Sequence, residues 1–343
     1  MSPEGIDVDG VTGWFADHVP SARPPLSFSL IAGGRSNLTY RVTGAGEGAW
    51  ILRRPPLGSV LQSAHDMGRE HRVMAALAST DVPVPPMVGL CDDESVNGAP
   101  FYVMEFVDGV VLRDEPAVAA VPEPVRWTAG ESLVDVLADL HAVDPDAVGL
   151  GDLGRKEGYV ERLLKRWRGQ WEKSKTRELP LVEEVAERLV RAVPEQGPAS
   201  IVHGDYRLDN AIVSPEDGRL RAVLDWELCT LGDPLADVGL LMVYWTEPDD
   251  EVSPLFWAPT RAPGFPGRKE VAARYAERSG HDLSELDYYV ALGLWKIAVI
   301  LEGVYARYAA GAYGQTDESY RQFEAIIPRL AEAAAEAASR AGR

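Results

Sequence analysis

An α+β fold in two lobes, a small β-rich lobe followed by a larger and mainly helical one, is predicted by three observations. The first hundred residues contain four short runs rich in β-formers and bounded by Gly, Pro or Asn: LSFSLIAGG, SNLTYRVTG, AWILRRPP and PFYVMEFV. After Asp108-Gly109 the pattern changes to long segments with helical spacing of apolar residues. The length of 343 residues suits about two units of roughly 100–200 residues, each able to bury a core. The expected division is 1–107 and 108–343.

Within the first lobe, HDMGREHRVMAALAST lies between the third and fourth strand runs, and Met67, Glu70, Met74 and Leu77 fall on one helical face. In the second lobe, Trp127 to His141 brings Leu133, Val136, Leu137 and Leu140 into register. Further helices are expected around 157–175, 181–193, 268–279, 286–308 and 317–338. The stretch Tyr288 to Ala306, YYVALGLWKIAVILEGVYA, has about the apolar length that a bilayer needs. It carries Lys296 and Glu302 and stands alone, so a buried helix of the larger lobe is the expectation, with no membrane partner.

Charge narrows the function classes. Lys and Arg number 34 against 53 Asp and Glu, a net charge of −19. A chain that coats nucleic acid needs a basic face, so no nucleic-acid partner is expected. Cys91 and Cys229 cannot build a disulfide framework, and MSPEGIDVDG lacks the cationic start of a secretory signal, which together point to a cytoplasmic protein. The sequence does not reveal an oligomeric state. Gly44-Ala45-Gly46-Glu47-Gly48-Ala49 matches a dinucleotide fingerprint by letter, but another strand pattern follows at once where a helix is required, so it reads as a hairpin loop. The six His and two Cys never fall at zinc-ligand spacing.

The segment that carries chemistry is IVHGDYRLDN, residues 201–210, followed by Ile212-Val213 and then by Ala222 to Glu227, AVLDWE. Apolar β-rich pieces flank a polar turn, and a short hairpin would bring Asp205, Asn210 and Asp225 to neighbouring strand ends. Hard oxygen ligands of this kind, completed by waters and phosphate oxygens, suit Mg²⁺. A carboxylate left free of the metal can accept a hydroxyl proton, which is the chemistry of phosphoryl transfer.

HGDYRLDN resembles the HxDxxxxN catalytic loop of the aminoglycoside phosphotransferase and choline kinase superfamily, relatives of protein kinases, and Leu224-Asp225-Trp226 stands where that family keeps its second magnesium aspartate. The resemblance implies a protein-kinase-like fold and transfer of the ATP γ-phosphate to a hydroxylated small molecule. It implies that Asp205 is the base, that Asn210 and Asp225 hold Mg²⁺, and that Arg207 stabilises transferred charge; His203 is expected to be structural. Gly34 and Ser36, in AGGRSN, would cover the phosphates. Arg53 falls where the family has a strand lysine, a departure because a guanidinium fork is not a point charge; strand alternation favours Arg53 and leaves Arg54 open. Glu70, a carboxylate on an apolar face, would pair with Arg53. Glu105 and Val107 would bind adenine through their backbone, and Asp237, at a helix start, is expected to brace the loop by capping.

The acceptor is less defined. A −19 chain suits a polycationic aminoglycoside. Residues 155–177, RKEGYVERLLKRWRGQWEKSKTR, instead hold nine Lys or Arg against three Glu, with Trp167 and Trp171 interleaved. That island suits an anionic acceptor with an aromatic stack. LRRPP, AHDMGREHRVMAAL, GAPFYVMEFVDG and LDWELCTLGDPLADVG are most similar to bacterial phosphotransferase-family proteins and to the kinase-like domain of some acyl-CoA dehydrogenases, which implies a hydroxyacyl-CoA acceptor. A nucleotide-binding scaffold without turnover is the reading from another class, kept open by Arg53.

Overall fold

A computed structural model describes residues 3–31, 37–57, 66–254, 257–311 and 318–342. The chain forms two compact units, Met1–Gly109 with Arg221–Cys229, and Val110–Leu220 with Thr230–Arg343. The first contains α1 Val8–His18, β1 Ser27–Leu30, β2 Leu38–Thr43, β3 Ala49–Arg54, α2 Met67–Leu77, β4 Met87–Cys91, α3 Glu94–Asn97 and β5 Phe101–Glu105. Its strands make one antiparallel sheet in the order β1-β2-β3-β5-β4. Alternation gives β3 two useful faces. Leu52 packs with Phe15, Tyr40, Val42, Phe101 and Val103 in a core roofed by α1, while Ile51 and Arg53 share the opposite face. On β5 the partner of Arg53 is Tyr102.

α2 packs against β4 and β5. Asp66 caps it, accepting from the Arg69 N–H at 2.9 Å. The segment Arg221–Cys229 joins this unit through the Val223 N–H to the Pro83 carbonyl at 2.8 Å and through Arg69 to the Cys229 carbonyl at 2.9 Å.

Three elements here, α1, the single-turn α3 and β4, lie outside the sequence expectation. α1 contains Gly10 and Gly13, which read as turn residues, yet a Cβ at Gly10 would come 2.2 Å from the Val96 carbonyl, so close approach of α3 explains that glycine. β4 is short and irregular, with a register shift between Met87 and Gly89 against β5.

The second unit contains α4 Glu115–Ala119, α5 Glu123–Ala142, α6 Tyr159–Ser174, α7 Pro180–Arg191, β6 Ser200–Val202, β7 Ala211–Val213, the start of β8 Leu220–Val223, β9 Thr230–Gly232, α8 Pro234–Tyr244, α9 Arg268–Ser279, α10 Leu286–Ala309 and α11 Gln322–Arg340. β6 and β9 pair antiparallel. α10 packs against α6, α7, α8 and α11. Around it lie Trp171, Leu189, Tyr288, Trp295 and Ala334, and a second cluster of Leu240, Ile297, Phe323, Ile327 and Leu330. This is the helix with the apolar length of a membrane span. Both of its unusual charges are engaged within the unit. Glu302 accepts from the Thr176 N–H at 2.9 Å and hydroxyl at 2.6 Å and lies 3.4 Å from Arg177, while Lys296 reaches the Gly204 carbonyl.

Close packing of α8 on α10 depends on Gly239, where a Cβ would sit 2.5 Å from the Tyr289 backbone. Gly239→Ala is expected to cost about 1–3 kcal/mol by overpacking. Gly13→Ala, with nothing within 4 Å of the new Cβ, is expected to stabilise by up to about 1 kcal/mol through helix propensity. Calorimetric melting of both variants checks the contrast.

Candidate active site

In the first unit the sheet face under α2 gathers one cation and its anions. Arg53 Nε lies 3.3 Å from Glu70 Oε2, and Arg53 Nη2 bonds to Asp225 Oδ1 at 2.5 Å with Glu227 Oε2 at 3.9 Å. Glu70 is 1% exposed, and its burial is compensated by Arg53, by the Tyr102 hydroxyl at 2.9 Å and by the Asn37 amide at 3.2 Å. Burial acts to lower the pKa of Arg53, but Tyr102, Glu70 and Asp225 outweigh it and raise it above the ordinary arginine value. Arg54 turns to the other side and spends its guanidinium on the carbonyls of Gly5, Pro55 and Asn97. Of the two strand arginines, only Arg53 meets the acidic set.

Asp225 has φ 65° and ψ 58°, and among the described residues it is the one non-glycine with positive φ. A left-handed aspartate stores strain of about 1–3 kcal/mol, and such strain clusters at functional positions. Phe106 donates its N–H to the Ala49 carbonyl, and Glu105 donates to the Pro86 carbonyl at 2.8 Å. The Glu105 N–H is thus already engaged on the β4 side of the strand, while Phe106 bonds to β3. Gly34 and Ser36 lie outside the described residues.

In the second unit the segment after β6 is held from beneath. Asp237 is 1% exposed. It accepts the His203 N–H at 2.6 Å and the Gly204 N–H at 2.9 Å, and it lies 3.4 Å from His141 Nε2. His141 is oriented in turn by the Tyr275 hydroxyl at 2.7 Å. The helix cap itself is Asp233, which accepts the Leu235 N–H. Asp237 thus braces the segment by direct hydrogen bonds from one turn into α8, not by capping. Burial pushes the Asp237 pKa up, but His141, His203 and the Gly204 N–H outweigh it and leave it below the ordinary carboxylate value.

His203 is fully buried and its Nδ1 accepts the Asp205 N–H at 3.2 Å, a structural use. The Asn210 amide donates to the carbonyl and to Oδ2 of Asp205 at 2.8 and 3.0 Å, which turns its own oxygen away from that carboxylate. Arg207 lies 3.6 Å from Asp205 and 3.2 Å from Asp209, with its guanidinium 4.8 Å above the Tyr244 ring. Burial and the Asp205 charge raise the pKa of Tyr244 well above the ordinary value, so its hydroxyl stays protonated and hydrogen-bonds to Asp205. Tyr244, His141, Tyr102, Asn37 and Lys296 are site neighbours that motif reading missed. Only Lys296 carried a signal, as a charge inside an apolar run.

The basic segment divides into two parts. Lys156 pairs with Asp146 at 2.5 Å, Lys175 with Glu183 at 2.8 Å and Arg177 with Glu302, while Arg162 binds backbone carbonyls. Trp171 is 3% exposed and hydrogen-bonds to Glu183, so it belongs to the core and offers no stacking face. Lys165 and Arg168 line a groove of about 320 Å³ with Glu161, Leu164, Val190 and Val193. A larger cavity of about 650 Å³ is lined by Val118, Arg126, Trp257, Arg261 and Ile326 among others.

The first unit holds an arginine paired with a helical glutamate, and the second holds an aspartate–asparagine loop braced by a buried carboxylate; the fold is that of kinase-like phosphotransferases. A sequence profile of the phosphotransferase enzyme family matches residues 27–289, and the chain belongs to that family. It is 35% identical over 298 residues, 84% of its length, to mouse acyl-CoA dehydrogenase family member 10, and spans only 27% of that relative. A crystal structure of a Ralstonia eutropha protein, provisionally described as an aminoglycoside phosphotransferase, is 33% identical with a TM-score of 0.81 and covers 98% of this chain and 99% of its own. The GDP and kanamycin complex of APH(2")-IIia shares the fold at 16% identity, with a TM-score of 0.62 and coverage of 95% and 98%.

Because the pKa of Asp237 is lower folded than unfolded, its stabilisation is full above the unfolded value of about 4 and is lost as pH falls below it. Asp237→Asn is expected to cost about 2–4 kcal/mol at pH 7 and to flatten the acid limb below the ordinary carboxylate value of about 4. Urea unfolding across that range checks both effects.

Proposed function

We propose that this chain is an ATP- and Mg²⁺-dependent O-phosphotransferase that moves the γ-phosphate of ATP to a hydroxyl of a small molecule. The observation that carries the reading is Asp205: its carboxylate is oriented by Asn210, Tyr244 and Arg207, and its loop is tied to Asp237. In this reading the acceptor oxygen attacks the γ-phosphorus, the bond to the β–γ bridging oxygen breaks, and the acceptor proton passes to Asp205 while ADP leaves. Arg207 faces the charge that spreads over the transferred group. Arg53, fixed by Glu70, takes the family lysine's place on the α- and β-phosphates. Glu105 and Val107 supply backbone groups to adenine, and Gly34 and Ser36 belong to the phosphate cover.

The donor chemistry fits magnesium. In this reading Asn210, whose amide nitrogen is engaged by Asp205, and Asp225, whose Oδ1 accepts from Arg53 at 2.5 Å, would each offer an oxygen to the ion. Bound there, the ion would neutralise phosphate charge and orient the transferring group. A cytoplasmic setting goes with ATP as donor.

For the acceptor we favour a hydroxyacyl-CoA over an aminoglycoside. The relative named as an acyl-CoA dehydrogenase family member supports it, as do Lys165 and Arg168, two cations against the one carboxylate of Glu161, beside apolar Leu164 and Val190, a surface suited to an amphipathic anion. The kanamycin complex of a fold neighbour supports the other acceptor. With MgATP, turnover is expected on hydroxyacyl-CoA thioesters and not on kanamycin. Asp205→Ala is expected to lower kcat by about 10²–10⁴-fold with ATP affinity within about threefold. Binding of MgATP without Asp205-dependent turnover on either acceptor would instead indicate a nucleotide-binding scaffold.

A further inference from the structure

Lys296 is a buried cation that the reaction as written does not use. It stands near the middle of α10, is 8% exposed, and donates from Nζ to the Gly204 carbonyl at 3.1 Å. The Trp167 ring lies beside it, with the centroid 5.9 Å from Nζ. Among the described residues it forms no ion pair. Burying an ammonium without a carboxylate partner is costly, and stability alone would favour an apolar side chain of similar volume.

What Lys296 holds is the peptide plane that leads into Asp205. The Gly204 carbonyl end of that plane goes to Lys296, and its Asp205 N–H end goes to His203 Nδ1 at 3.2 Å. In the two preceding peptides, the N–H groups of His203 and Gly204 are taken by Asp237. Gly204 has φ 85°, a conformation open to glycine that turns the chain between these two holds. An anion from α8 and a cation from α10 therefore fix successive peptides on either side of one glycine.

We propose that Lys296 is a positioning residue for phosphoryl transfer, holding the Gly204 carbonyl so that the Asp205 carboxylate is aimed at the acceptor hydroxyl. The proposal rests on the reading of Asp205 as the base. The electrostatics agree with the geometry. Burial lowers the pKa of Lys296, and the carboxylates of Asp205 and Asp237 oppose that shift, so this charge is coupled to the loop it holds.

Lys296→Met keeps the volume and removes both the donor and the charge, whereas Lys296→Arg keeps both. The variants are compared by kcat and KM for MgATP, using a productive acceptor or slow γ-phosphate transfer to water, and by melting temperature. Hydrogen exchange of the peptide spanning 203–210 is measured on the same full-length proteins. Lys296→Met is expected to lose at least tenfold in kcat with KM for MgATP within twofold and a melting temperature unchanged or raised. Exchange in 203–210 is expected to quicken at least threefold, and Lys296→Arg to recover most of both effects. A Lys296→Met protein with kcat within twofold of wild type and unchanged exchange would overturn the proposal. If the wild type shows no Asp205-dependent transfer, the base assignment fails on its own. Exchange then decides the hold by itself: quickening confined to 203–210 supports it, and no change removes it.

Discussion

The buried carboxylate of Asp237 is the constraint on which the helical unit's polar chemistry depends. A loop that must present Asp205 at its surface cannot satisfy its own backbone, and an unpaired buried N–H costs about as much as a lost hydrogen bond. Asp237 resolves this by accepting two successive N–H groups from one position in α8. Its charge is tolerated because His141 stands against it and Tyr275 stands behind His141. The result is a chain of hydrogen bonds from α9 through α5 and α8 to the loop, with each link buried. Such a network is rigid only when fully satisfied.

A different economy governs the sheet unit. There the central group is a cation, Arg53, and the surrounding carboxylates of Glu70, Asp225 and Glu227 leave it embedded in negative charge. Glu70 is further fixed by Tyr102 and Asn37, so the guanidinium is preorganised by an anion that is itself preorganised. Arginine suits this place because its planar fork can engage Glu70 through Nε and Asp225 through Nη2 at once. A lysine, with one compact ammonium, would meet both carboxylates less directionally. The arginine that the sequence resemblance marks as a departure thus makes a paired geometry with Glu70.

Much of the fold was legible where periodicity was clean. β2, β3 and β5 and the helices α5, α6, α7, α9 and α10 lie close to their expected bounds, because alternation or helical spacing there is set by one buried face. α11 begins at Gln322, later than the expected 317. α1 was hidden by two glycines, and β4 by its length and its register shift. α8 is buried almost all round, with Val238, Leu240, Leu241, Met242 and Val243 in the core, so it shows no stripe to read. Asp205, Asn210 and Asp225 were named from motif order alone, and the structure adds the partners of each: Asn210 and Arg207 for Asp205, and Arg53 for Asp225. Tyr244 and His141 could not be named in this way, since a tyrosine or histidine on a core helix looks the same whether it orients a carboxylate or merely packs. The arginine choice was decided by strand register: Arg53 shares its face with Ile51 under α2, whereas Arg54 faces the carbonyls of Gly5 and Asn97.

We propose that Arg53 and Asp225 both serve a magnesium-bound nucleoside triphosphate. Isothermal titration of ATP into the wild-type chain and into Arg53→Ala, each with and without Mg²⁺, tests it most directly. Saturable binding that requires Mg²⁺ and weakens at least tenfold in Arg53→Ala is the expected result. Absence of binding by the wild type, or equal affinity in the variant, would contradict the claim.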